Sequence, residues 1–308
     1  MKITLIHNPG AGDGQDVKAL VRLITDAGHD LRYRSTKQDW EELLEKPADL
    51  VVAAGGDGTV RKVALAAAGR GLPFAAVPIG TANNIAKSIG VVGDAGELIE
   101  TWSTSPRFEQ PFDLGEVVAP WGGARFVEGV GGGLMADLLS REEDIAADAT
   151  LLGRKTDRAL HLLAELVREA PVRRWQIRAD GKDLSGHYFA VEVLNIRFVG
   201  PNLPLAPDAY PGDGEFDVVL LGKSDREPLL TYLEGRLHLA SGPLPQLRTS
   251  RARKIEIVAP TGVRWHLDDK NWPSAEPLAN AATLTVRCLP GAVTYVAAPK
   301  AERLEATP

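Results

Sequence analysis

Residues 49–69, DLVVAAGGDGTVRKVALAAAG, run from an apolar strand through Gly55-Gly56-Asp57-Gly58 straight into a helix. A strand that ends on glycines and passes directly into a helix is the unit from which parallel sheets are built. The same unit stands on either side of it: KITLI leads through HNPGAGDG into QDVKALVRLITDAG, and FAAVP leads through IGTANN into IAKSIG. In the first of these helices Val17, Leu20, Val21 and Ile24 share one face. Between the first two units LRYRST reads as a strand and DWEELLE as a helix. The alternation predicts a doubly wound α/β sheet, in which ligands bind beyond the carboxyl ends of the strands. All three glycine- or asparagine-rich loops are therefore expected at one crevice.

Beyond about residue 115 the pattern changes to strands separated by turns: ARFVEGV, RRWQIRA, HYFAVEVLNI, EFDVVLL, KIEIVA, VRWHL and ATLTVRC. ADGKDL is a hairpin-type turn, and DRALHLLAELVRE and EPLLTYLEGRLHLA have helical spacing. The second half reads as an antiparallel β-sandwich or open barrel with inserted helices. The expected division is 1–118 for the α/β domain and 119–308 for the sandwich, with a last strand near 293–299, in VTYVAAP, returning to the first domain.

With 44% apolar and 25% charged residues in 308, a proper core is no difficulty, and the net charge of −6 argues against a nucleic-acid-binding surface. Local basic clusters, LGRKTDR, VRRWQIR and RTSRARK, read as solvated faces that remain available to an anionic surface. The single Cys288, in ATLTVRCL, excludes an internal disulfide and fits a reducing cytosol as a buried strand thiol. MKITLIHNP has no apolar stretch of signal-peptide length, and no later run approaches membrane-spanning length. The expectation is a cytoplasmic protein whose membrane contact, if any, is peripheral at the inner face. Oligomeric state is not legible.

The Lys-bearing pattern GxxxxGK[ST] is absent, and GAGDG approaches the dinucleotide fingerprint without completing it. The second strand ends in RST, without the carboxylate a dehydrogenase sets on a ribose, so hydride transfer falls in rank. What remains are loops whose N–H groups converge on anionic oxygens at helix N-termini, with Gly12, Gly14, Gly55, Gly56, Gly58 and Gly80 permitting close approach. Asn8, Asn83, Asn84, Thr59 and Thr81 read as helix caps, a role compatible with nucleotide contact. Asp57 is the residue hardest to explain as structure. A carboxylate among phosphates is favourable when it holds magnesium or takes a proton from an attacking hydroxyl, and both duties belong to phosphoryl transfer.

These motifs resemble the diacylglycerol kinase catalytic-domain family, which includes sphingosine kinases and bacterial lipid kinases. The resemblance rests on NPGAG (8–12), GGDGT (55–59) and PIGTANNIA (78–86), and continues through FDLGEV, GVGGGLMADL, PDAYPGDGEFDVVLL and HLDD in the family's order. GGDGT alone is shared with NAD kinases; joined to the others it is specific. The resemblance implies an α/β nucleotide domain and a β-sandwich with the active site between them. It implies an ATP- and magnesium-dependent lipid kinase that moves the γ-phosphoryl group to a lipid hydroxyl, diacylglycerol or a related lipid. Asn8 to Gly12, Thr36, Gly55 to Arg61 and Thr81 would line the ATP site; Asn8, Pro9, Gly12, Thr36, Gly55, Gly56, Gly58, Thr59, Thr81 and Asn83 are the candidate contacts. Asp213 would bind a structural magnesium ion, with the carbonyls of Tyr210 and Glu215. By the resemblance, bacterial members usually carry Asp-Gly-Glu late in the chain, its Glu the proposed proton acceptor, where HLDDKNWP sets Asp268, Asp269 and Lys270. A lysine does not replace a carboxylate base. Either Asp269 or Asp57 is then the base, or the protein is a catalytically degenerate nucleotide-binding homologue. An NAD kinase-like small-molecule kinase is the other alternative. Peripheral contact with the bilayer would come from Arg154, Lys155 and Arg158 with LMADLL.

Overall fold

A computed structural model describes residues 1–12, 17–91, 93–102, 108–146, 155–238, 245–274 and 276–297. The chain forms two compact units, the first comprising Met1–Leu114, Tyr210–Gly214 and the segment from Leu289, the second Gly115–Ala209 and Glu215–Cys288.

In the first unit β1 (Lys2–His7), β2 (Asp30–Ser35), β3 (Leu50–Gly55) and β4 (Phe74–Pro78) alternate with α1 (Val17–Asp26), α2 (Asp57–Ala68), α3 (Asn84–Ser88) and α4 (Ala95–Trp102). All pairings among the four strands are parallel, in the order β4-β3-β1-β2. Leu20 and Ile24 of α1 and Ile99 and Trp102 of α4 pack on Ile3, Leu5, Val52 and Ala54, while α2 packs along β3 and β4. DWEELLE forms only a 3₁₀ turn, Glu41–Glu45: Trp40, Leu43 and Leu44 are all buried, but Lys46, held extended at ψ 144° before Pro47, ends the segment after little more than one turn.

Asp113, 1% exposed, ties the late segments into this unit: its carboxylate accepts from Gly214 N (2.7 Å) and Gly291 N (2.6 Å), and its own N–H donates to Pro211 O (2.7 Å). Asp113→Ala strands the buried Gly214 N–H and frees the partly buried Gly291 N–H, and is expected to destabilise the protein by about 2 kcal/mol in urea melts, with Asp113→Asn recovering part of the loss.

The second unit follows from β5 (Glu109–Ala119), which enters it at Gly115, and contains β6 (Gly122–Phe126), β7 (Gly129–Gly133), α5 (Leu134–Ala146), α6 (Lys155–Glu169), β8 (Arg173–Ala179), β9 (Lys182–Asp183), β10 (Gly186–Leu194), β11 (Phe216–Gly222), α7 (Arg226–Leu237), β12 (Arg248–Ala252), β13 (Lys254–Ala259), β14 (Trp265–Leu267) and β15 (Lys270–Asn271). The first half of β16 (Ala282–Val296) completes it by pairing with β13; near its end Tyr295 pairs in parallel with Phe74 of β4 in the first unit. ATLTVRC and VTYVAAP are thus mostly one strand rather than two. Every pairing within the second unit is antiparallel among the described strands.

Trp175, Ile177, Val191, Val193, Phe216, Ile255, Trp265 and Leu284 form the core of the sandwich. The other face of β10 and β11 is covered by α5, α6 and α7 through Leu134, Met135, Leu163, Leu229 and Leu233. This corrects the expectation for LMADLL: Leu134, Met135, Ala136 and Leu138 are at most 2% exposed, core rather than membrane-facing. Arg154 and the side chain of Lys155 lie outside the described residues. Cys288 is half-buried rather than buried. The Asp180-Gly181 turn has φ of +45° and +83°, the type I′ geometry that ADGKDL predicts. Among the described residues no helix is long and apolar enough to cross a membrane.

Candidate active site

Three loops of the first unit meet through their backbones. Gly12 has φ +60° and a side chain there would stand 2.2 Å from Ile79 O, so the loop after β1 lies against the loop after β4. A Cβ on Gly80 would stand 2.4 Å from Gly56 Cα, bringing the β4 loop onto the β3 loop, and one on Gly55 would strike Thr59 Oγ1 at 2.4 Å. No residue with a side chain fits these contacts without a backbone shift. Gly14 lies outside the described residues.

The polar residues hold this arrangement. Asn8 Oδ1 accepts from Gly10 N (3.0 Å), while Asn8 N donates to Ala54 O (2.9 Å). Thr36 N donates to His7 O (2.8 Å), which sets Thr36 beside the first loop. Asn83, left-handed at φ +52°, clasps its own turn: Gly80 N donates to its Oδ1 (3.0 Å) and its Nδ2 donates to Gly80 O (2.8 Å). Asn83 therefore is not a capping side chain, Asn84 is the first residue of α3, and Thr59 lies within the first turn of α2. Pro9 and Thr81 are exposed; Gly58 is half-buried.

The acceptor at the start of α3 is Asp57, from another loop: Ile85 N donates to its Oδ1 at 2.9 Å. Burial raises the Asp57 carboxyl above its ordinary range, against the opposing pull of the Ile85 and Asn84 amides and the charge of Lys87. A glycine-flanked carboxylate whose proton affinity burial increases is suited to accept a proton.

Asp213 is exposed in a turn where Tyr210 O accepts from Gly212 N (2.8 Å) and Asp213 N (3.3 Å). The Glu215 carboxylate pairs with Arg251 at 3.1 Å. Among the described residues no three His, Cys, Asp or Glu side chains cluster as a metal site. One carboxylate with main-chain carbonyls is an all-oxygen donor set, which fits magnesium, an ion that keeps most of its waters.

In the second unit Asp268 and Asp269 are the central residues of the β14–β15 hairpin and have opposite surroundings. Asp268 is 6% exposed at φ +52°, and its Oδ1 accepts from Val127 N (3.1 Å), Glu128 N (2.7 Å) and Gly129 N (3.2 Å). Those three amides turn onto the carboxylate, which is why ARFVEGV is broken into β6 and β7. Asp269 and Lys270 are exposed at the tip. Sequence reasoning missed His266 and Glu192, whose side chains are 1% and 0% exposed and whose Nε2 and Oε2 stand 2.7 Å apart. Burial alone would lower the His266 pKa, but the Glu192 charge and hydrogen bond, with the bond to the Asp268 carbonyl, raise it above its ordinary value. A lone Glu inside the apolar run YFAVEVL was the available signal.

The family described as "Diacylglycerol kinase catalytic domain" matches residues 2–117, and that described as "YegS C-terminal NAD kinase beta sandwich-like domain" matches residues 139–297. A Pseudomonas aeruginosa protein named "Probable lipid kinase YegS-like" is 33% identical over 230 residues, 71% of each chain. The chain belongs to the diacylglycerol kinase catalytic-domain family. Membership makes it a phosphotransferase of the lipid-kinase type, acting on an alcohol group. The "Diacylglycerol kinase" of Bacillus subtilis is 28% identical over 235 residues, 72% of this chain and 74% of that protein. A diacylglycerol kinase crystal structure from Bacillus anthracis superposes with a TM-score of 0.68 at 22% identity over 97% of both chains, a likeness of fold.

Proposed function

We propose that this family member is an ATP- and magnesium-dependent lipid kinase that transfers the γ-phosphoryl group to the hydroxyl of diacylglycerol or a related lipid. The observation that carries this reading is the meeting of the three loops through Gly12, Gly56 and Gly80 around an anchored Asp57. The Asn8–Gly12 loop, which includes Pro9, and the Gly55–Thr59 loop, with Thr36, Thr81 and Asn83 at the rim, receive the nucleotide, since helix N-termini and glycine loops favour anionic oxygens. Asp57 takes the proton of the lipid hydroxyl, and Asp269 is the second candidate for that duty. Asp213 with the Tyr210 and Glu215 carbonyls would hold magnesium, which supplies charge to order an exposed acidic turn. A lipid acceptor sets the reaction at a bilayer surface, reached from the cytoplasm as a peripheral protein.

Gly80→Ala forces the loops apart at a backbone contact and is expected to raise the KM for ATP about tenfold or more, read from initial rates at saturating lipid. The reading itself is tested by incubating the purified chain with labelled ATP and magnesium against diacylglycerol, sphingoid, ceramide and polyprenol lipids. The expected outcome is one class of phosphorylated lipid. NAD phosphorylation without lipid product, or ATP binding without turnover, overturns it; Lys270 is the residue that favours the second of those outcomes.

A further inference from the structure

We propose that Glu192 and His266 are a positioning pair for the Asp268-Asp269 turn and thereby set the turnover rate; this rests on the lipid-kinase reading and on that turn serving the transfer. Glu192 of β10 and His266 of β14 each pair in register with Gly131 of β7, one from either side. The two side chains meet over that glycine, where a Cβ would stand 1.8 Å from Glu192 Oε2. GVGGG therefore leaves space for a buried ionisable pair in a strand that otherwise reads only as tightly packed.

The hydrogen-bond pattern fixes the histidine's tautomer. His266 Nδ1 stands 3.0 Å from the Asp268 carbonyl oxygen, which can only accept, so Nδ1 carries a proton. The contact between Nε2 and Glu192 Oε2 at 2.7 Å holds the other proton. Glu192 thus orients the ring, and the ring orients the Asp268 carbonyl. Because the peptide is planar, holding that carbonyl fixes the plane from which Asp269 departs. The turn needs such a hold: Leu267 and Lys270 pair across it, and Asp268 at φ +52° fills the first central position, where glycine is preferred.

A pair that only stabilises the fold and a pair that positions the turn differ in what two isosteric variants do. His266→Asn sets an amide N–H where Nδ1 stands and keeps the bond to the carbonyl. His266→Gln reaches toward Glu192 and loses it. With the full chain, His266→Gln is expected to lower kcat about tenfold with the ATP KM within about twofold, and His266→Asn to stay within about threefold of the parent. Amide hydrogen exchange at Asp269 and Lys270 is expected to quicken in His266→Gln and not in His266→Asn. Equal loss in both, or unchanged exchange in His266→Gln, overturns the proposal. Should neither fold, Glu192→Gln, which keeps a partner at Nε2, is expected to exceed Glu192→Leu about tenfold in kcat, and equal rates overturn it. If the parent phosphorylates no lipid, the functional reading fails while the exchange measurement still decides whether the pair positions the turn.

Discussion

Asp57→Asn is expected to lower kcat for lipid phosphorylation by roughly 10²–10⁴ while leaving the melting temperature nearly unchanged. Both halves of the expectation come from the same contact. Asparagine keeps an oxygen at the position of Oδ1, so Ile85 N still finds its acceptor at the start of α3 and the β3 and β4 loops stay joined. What asparagine lacks is proton affinity. Burial already raises the Asp57 carboxyl, so its charged form is less favoured in the folded chain than in the unfolded one. By linkage, a carboxyl with a raised folded pKa contributes stability at low pH that is lost as pH rises through that pKa. Asp57→Asn removes this term, so near neutrality the variant should be as stable as the parent or slightly more so. Asp57→Ala behaves differently: it also removes the acceptor and should lose about 1 kcal/mol. Rates and thermal melts of the three proteins check this, and full activity in Asp57→Asn removes Asp57 as the base and leaves Asp269.

The three-loop arrangement was legible because each loop announces itself locally. An apolar strand, then glycine, then helical spacing is a contiguous signal, and Gly12, Gly56 and Gly80 turn out to be the points of backbone contact. The side-chain partnerships were not legible. Asp57 and Ile85 lie 28 residues apart, and Glu192 and His266 lie 74 apart. Such partners depend on which strands become neighbours, and no local pattern states that β7 lies between β10 and β14. For the same reason Asp57 was the residue hardest to explain as structure, whereas it anchors α3. The LMADLL run failed in the opposite direction: its apolar residues suit a membrane or a core equally, and only the covering of β10 and β11 decides for the core.

The hairpin aspartates should separate fold from chemistry. Asp268→Ala is expected to destabilise the protein by roughly 3–5 kcal/mol, because the amides of Val127, Glu128 and Gly129 lose a charged acceptor in a buried site. Asp268→Asn isolates the charge from the backbone strain, since asparagine tolerates a left-handed φ and keeps one acceptor oxygen; its loss should be about half as large. Asp268→Gly relieves φ +52° and supplies no acceptor, and if it is as damaging as alanine then the carboxylate, not the turn conformation, holds β6 and β7 in place. Asp269→Asn, at an exposed tip, should change stability by no more than about 0.5 kcal/mol, so any fall in kcat there reports chemistry directly. Lys270→Glu then sets a carboxylate where the family resemblance places the proton acceptor. A rise in kcat with Lys270→Glu, in a protein whose Asp269→Asn variant is already impaired, assigns proton transfer to the hairpin; indifference of both, with Asp57→Asn inactive, assigns it to the glycine loop.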